Sequence, residues 1–124
     1  MTGSVDLRTR TSDFALAVIR LYSSLPRETT AQVLGRQVLR SATSVGAQYR
    51  EARRGKSAAD FVSKCEGALQ ELEETAYWFK LLERSAICTE SRIGFLRNET
   101  DQLISIFVSL VKRSKQNSGR RAAA

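Results

Sequence analysis

Between Phe61 and Leu82 the core-type residues fall at alternating spacings of four and three: Phe61, Cys65, Ala68, Leu72, Thr75, Phe79 and Leu82. A stripe of this period is the seam of a helix packed lengthwise in a bundle. Val62, Leu69 and Ala76 widen it. Ser57 followed by Asp60 forms a capping box that opens this helix, with aspartate in the position usually held by glutamate or glutamine.

The segments on either side repeat the helical period. Ser12 is a candidate cap for a first helix, in which Phe14, Val18, Leu21, Tyr22 and Leu25 form the apolar stripe. Residues 1–11 then read as a short lead. Pro26, the only proline, ends that helix near Ser24 or Leu25, because the residue before a proline is pushed out of the α region. Thr29 or Thr30 caps a second helix running to about Arg54, where Gly55 supplies the C-terminal cap. Within it Ala31, Leu34, Val38, Ala42, Val45, Tyr49 and Ala52 face a core, and Gly46 reads as a packing glycine that lets another backbone approach. A loop over Ser85–Cys88 leads to Thr89, the expected cap of a fourth helix with stripe Ile93, Leu96, Thr100, Leu103, Phe107 and Leu110. The expected domain spans 12–116, and residues 117–124 read as a disordered basic tail. The fold class is all-α, an up-down-up-down antiparallel left-handed four-helix bundle in one domain.

Charge and residue usage narrow the chemistry. The chain carries 20 Lys and Arg against 13 Asp and Glu, a net charge of +7, and it has no histidine. Imidazole is thereby excluded as general base and as metal ligand, and the Glu-x-x-His pattern of di-iron bundles is excluded with it. Cys65 and Cys88 lie in no metal-like spacing and follow no secretory signal. Cys65 falls on the core seam, whereas Cys88 is expected in an exposed loop. No apolar run approaches the ~18 residues of a membrane span. These features point to a reduced cytoplasmic protein with no cofactor, no metal and no catalytic residue.

The second helix carries a polar stripe opposite its apolar one: Gln37, Arg40, Ser44, Gln48 and Glu51. The third carries Glu71, Glu74 and Trp78 on one face, with Tyr77, Trp78 and Leu81 projecting off its seam. Clustered apolar side chains off the core suggest a contact surface. Arg40, Ser44, Gln48, Glu51, Glu71, Glu74, Tyr77, Trp78 and Leu81 are therefore the candidate subunit interface. Arg40, Glu51, Glu71 and Glu74 are also the residues an enzyme site would use, with an all-carboxylate magnesium site as its metal version. The abundant arginines nearby favour salt bridges instead.

Two runs of this sequence, RSATSVGAQYREARRGKSAADFVSK and LQELEETAYWFKLLERSAI, resemble the bacterial four-helix-bundle family related to proteins encoded within intervening sequences of 23S ribosomal RNA genes. Arg40, Ser41, Thr43 to Ala47, Tyr49, Arg50, Glu51 and Ala52 fill the pattern of its second helix, with Gln48 where the family has asparagine. Glu71, Glu74, Thr75, Tyr77 and Trp78 fill that of its third. The resemblance implies a bundle that assembles as a ring, a homopentamer, with no assigned reaction.

A second class of function rests on charge. Arg50, Arg53, Arg54 and Lys56 cluster at the turn between helices two and three, and Lys112, Arg113, Lys115, Arg120 and Arg121 make an acid-free tail. Such groups neutralise phosphates without reading sequence, so RNA or DNA is a candidate partner beside a second copy or another protein. An interaction or scaffold protein is the first expectation, and a nonspecific nucleic-acid-binding accessory protein the alternative.

Overall fold

A computed structural model describes residues 6–123, with side chains placed for residues 6–119 apart from Glu90. Four helices follow one another: α1 (Leu7–Ser23), α2 (Thr29–Arg53), α3 (Ala58–Arg84) and α4 (Glu90–Ala123). Each packs chiefly on its neighbour in sequence. The α2–α3 interface is the most extensive, and the α1–α4 interface that closes the bundle is the slightest. Short connections between helices packed in this way give the expected up-down-up-down order.

The caps show where local chemistry set the boundaries. The first helix starts at Leu7, ahead of the expected Ser12, because the Asp6 carboxylate accepts the Thr9 N–H at 3.3 Å and the Thr9 hydroxyl at 2.8 Å. Leu7 and Thr11 are buried, so this part of the expected lead belongs to the bundle, while residues 1–5 of that lead lie outside the described residues. Ser12 sits inside the helix, where its hydroxyl accepts from Arg50 Nη2 at 3.1 Å.

Pro26 acts as expected, with Ser24 closing α1 through bonds to Leu21 and Tyr22 carbonyls. Glu28, not Thr29 or Thr30, is the N-cap residue of α2, in extended backbone and without a side-chain capping bond. At the other end Arg54 closes α2, and Gly55 donates to the Ala52 carbonyl at 3.0 Å; Gly55 does not adopt the left-handed backbone of a glycine cap.

Ser57 caps α3 as its spacing requires, accepting the Asp60 N–H at 3.1 Å. The reciprocal bond differs from a standard box, since Asp60 Oδ2 accepts from the Lys56 N–H at 3.3 Å. The turn after α3 places Ala86 in left-handed backbone at φ 62, and the Ile87 and Cys88 N–H groups both return to the Leu82 carbonyl. The last helix continues to Ala123, past the expected end at residue 116. Four of its seven added residues, Arg120, Arg121, Ala122 and Ala123, are strong helix formers and offset Asn117, Ser118 and Gly119, which are not. Just before the extension, Lys115 ties α4 to α3 through Glu66 at 2.9 Å.

Phe79, Phe107, Leu72, Leu82, Ile93, Leu103, Val18, Val38 and Val45 are fully buried on the four inner stripes. Tyr49 and Phe107 meet edge to face at 5.8 Å across α2 and α4. Both interior glycines of α2 lie against α1: a Cβ at Gly46 would stand 3.0 Å from Thr11 Oγ1, and one at Gly35 only 2.6 Å from Leu25 Cδ1. Gly46 thus serves the close approach its position predicts. Of the buried polar side chains, Thr11 and Thr100 return their hydroxyls to their own helix, whereas Ser41 and Thr75 bond each other across α2 and α3 at 2.7 Å.

Phe79 has no exposed surface and sits towards the C-terminal end of the α3 seam. Replacing it with alanine is expected to lower unfolding free energy by about 3 to 5 kcal/mol, measured by urea denaturation. A loss below about 1 kcal/mol would contradict full burial.

Candidate functional site

The polar stripe of α2 meets α3 of the same chain. Arg40 Nη1 approaches Glu71 Oε1 at 3.4 Å, and Arg40 Nη2 donates to Glu74 Oε1. Trp78 Nε1 donates to that same Glu74 oxygen at 3.4 Å. Further along, Lys64 donates to Glu51 at 2.7 Å. Ser44 returns its hydroxyl to the Arg40 carbonyl at 2.8 Å. The Gln48 amide lies over Gly67, where a Cβ would come within 2.0 Å of Gln48 Oε1. The Gln48 amide fits there because α3 offers a glycine at that level.

The Arg40 side chain is 51% exposed, against 19% for Glu71 and 43% for Glu74. At that exposure the ion pairs contribute under about 1 kcal/mol each, so their larger effect is to fix how the two outer surfaces lie together. Tyr77 stands on the outside, 53% exposed, with its ring tilted against Trp78 at 5.1 Å. Trp78 and Leu81 are half-buried. A shallow hollow of about 340 Å³ beside Tyr77 is lined by Ala76, Lys80, Arg97 and Asp101. On the opposite side of the bundle Phe95 is 71% exposed and Leu16 is 49% exposed. Arg20, Arg92 and Phe95 line a hollow between α1 and α4 there. The sequence reading missed this second apolar surface. Its signal was a wide apolar arc on the fourth helix, where Ile104, Val108 and Val111 flank the main stripe on one side and Ile106 on the other.

The antiparallel order carries the basic groups to one end. The last turn of α2 brings Arg50, Arg53 and Arg54, Lys56 follows it, and the first turn of α1 adds Arg8, another residue the sequence reading missed. Lys112 and Arg113 are exposed on the same end of α4, Lys115 is engaged by Glu66, and the side chains of Arg120 and Arg121 lie outside the described residues.

Neither thiol faces this chemistry. Cys88, expected to be exposed, is buried, because the turn after α3 folds its backbone back onto Leu82. Burial pushes the Cys88 thiol up, opposed by the nearby Arg92 charge, and pushes the Cys65 thiol up to about 11. Among the described residues no group of three or more histidine, cysteine, aspartate or glutamate side chains could hold a metal ion. No helix among the described residues is long and apolar enough to cross a membrane.

The family model described as 23S rRNA-intervening sequence protein matches residues 4–109. The chain belongs to that family. A crystal structure of a protein of unknown function from the S23 ribosomal protein family of Bacteroides thetaiotaomicron is similar to it, with 35% sequence identity and a TM-score of 0.80. The match covers 85% of this chain and 97% of that one. Among curated proteins none matches the chain. Arg40, Glu71 and Glu74 lie inside the matched segment.

Cys65 yields a pH prediction. Its folded thiol holds a proton up to about 11, while an unfolded thiol releases it near 9.0. Its contribution is present below pH 9.0 and is lost as pH rises towards 11. Unfolding free energy should therefore fall more steeply over that interval in the natural chain than in Cys65→Ala. Identical slopes in urea denaturation series would contradict a buried protonated thiol.

Proposed function

We propose that this chain is a non-enzymatic, self-assembling interaction protein whose bundle is the subunit of a closed ring. Two apolar surfaces on opposite sides of the bundle carry the reading: Tyr77, Trp78 and Leu81 on α3, and Phe95 on α4 with Leu16 on α1. Trp78 packs partly against the core, but the exposed faces of Tyr77, Phe95 and Leu16 do not, and burying them needs a second body. Unlike surfaces on opposite sides favour head-to-tail contact, which closes into a ring when the rotation between copies permits. Five copies is the number the family resemblance implies. Arg40 and Glu74, half exposed beside Trp78, would rim such a contact, as polar groups do at protein interfaces.

The reading places no reaction at Glu71 and Glu74, whose carboxylates are engaged by Arg40 and, for Glu74, by Trp78 as well. A second reading, nonspecific binding of RNA or DNA, is supported by the gathering of Arg8, Arg50, Arg53, Arg54, Lys112 and Arg113 at one end of the bundle. Ring assembly would repeat that charge around one rim.

Sedimentation velocity on Trp78→Ala and Phe95→Ser tests assembly. Both variants should sediment as smaller species than the natural chain, and Phe95→Ser should keep its melting temperature because Phe95 is 71% exposed in the isolated bundle. A natural chain that sediments as a monomer would overturn the proposal, and so would two variants that assemble unchanged.

A further inference from the structure

An open groove of about 510 Å³ lies between the first turn of α1 and the last turn of α2, lined by Arg8, Arg50, Glu51, Arg53 and Arg54. Its one carboxylate is engaged elsewhere, since Glu51 Oε1 accepts from Lys64 at 2.7 Å. Among the described residues none of the four guanidinium groups in the lining takes part in a salt bridge. Arg50 donates to the Ser12 hydroxyl at 3.1 Å and Arg53 to the Tyr49 hydroxyl at 3.3 Å, both neutral acceptors.

Arginines in the last turn of α2 have an ordinary explanation, because a helix C-terminus is partly negative. Arg8 has none of that kind. It stands in the first turn of α1, at the partly positive end, and that turn holds no acidic residue. The neighbouring Asp6 carboxylate lies outside the groove lining and is taken up by the Thr9 N–H and hydroxyl, with the Arg8 charge only the least of the influences on it. Four like charges around one hollow repel one another, and the repulsion falls when an anion enters.

We infer that this groove binds a compact ligand through its phosphoryl oxygens, with Arg8 and Arg50 from facing helices as principal donors. Guanidinium groups match phosphate geometry two bonds at a time, and a hollow of this volume is of the size that takes small ligands. No aromatic residue lines the groove, so it offers a base nothing to stack on and recognises phosphate alone. A free polyphosphate and the phosphodiester run of a single-stranded RNA present the same chemistry. The inference does not depend on ring assembly, and it narrows the nucleic-acid reading to one groove.

Isothermal titration of the full chain with sodium tripolyphosphate, at ionic strength held constant with chloride, tests it. Arg8→Gln and Arg50→Gln should each weaken binding about tenfold or more, the loss expected for a hydrogen-bonded charge. Arg113→Gln removes an exposed charge from the same end outside the groove, and should change it little. Without ligand, Arg8→Gln should raise the melting temperature while it lowers affinity, whereas an arginine serving structure alone would lower both or move only the first. The source is read from a labelled ten-nucleotide RNA. Displacement by tripolyphosphate with the same Arg8 dependence supports the site and assigns it to the phosphodiester chain; tripolyphosphate binding that spares RNA supports it and assigns it to free polyphosphate. Absence of tripolyphosphate binding overturns the inference, as does an equal loss in all three variants. RNA binding that falls with Arg113→Gln and ignores Arg8→Gln would leave the nucleic-acid reading in place and remove the groove from it.

Discussion

The α2–α3 seam is the contact on which the rest of the bundle depends. The Ser41–Thr75 hydroxyl pair lies at 2.7 Å and neither residue is exposed. Thr75 gives its own proton to the Glu71 carbonyl at 2.7 Å, so Ser41 is the donor between them. Ser41 also reaches the Val38 carbonyl at 3.4 Å, so losing the pair costs the net worth of one hydrogen bond, roughly 0.5 to 1.5 kcal/mol. Sliding one helix along the other is penalised by that bond and by the displaced apolar stripes. Around the pair stand Arg40 with Glu71 and Glu74 on one side and Glu51 with Lys64 further along, at the surface. These contacts share one antiparallel register. Each exposed pair is weak, but all of them agree, and agreement among local choices is what makes one arrangement win.

Everything offered to the outside follows from that register. With α2 and α3 locked, α1 is laid against α2 by the glycines at 35 and 46, and α4 is laid against α3. The slight α1–α4 contact is held at the surface by Arg10, which donates to Glu99 at 2.8 and 2.9 Å and to Gln102 at 2.8 Å. Two aromatic surfaces face opposite ways as a result, and four guanidinium groups meet where α1 begins and α2 ends. Assembly and phosphate binding would thus use different parts of one rigid frame.

The sequence carried the inner stripes of all four helices, because residues spaced for burial on a helix have little other use. Ser57 and Pro26 carried their boundaries for local reasons: a hydroxyl placed three residues before a free N–H, and a ring that bars the helix. Boundaries failed where competing groups were present. Asp6 and Ser12 are both good N-caps, and the choice between them fell to Leu7 and Thr11, whose burial depends on α2 and α4 being in place. Cys88 read as exposed because it lies in a short connection between helices, and only the return of its backbone to Leu82 buries it. The meeting of Arg40 with Glu71 and Glu74 was legible from helical spacing. Arg8 was not, since nothing near it in sequence brings it to Arg50. The tertiary fold alone does that.

Native-state hydrogen exchange of the natural chain, read residue by residue, tests the primacy of the α2–α3 seam most directly. Amides in the middle of α2 and α3, around Ser41 and Thr75, should exchange last and only through global unfolding, with those of α1 released earlier by local opening. Contradiction would come from α1 amides as slow as those of α3, or from α2 and α3 opening separately while α1 stays closed.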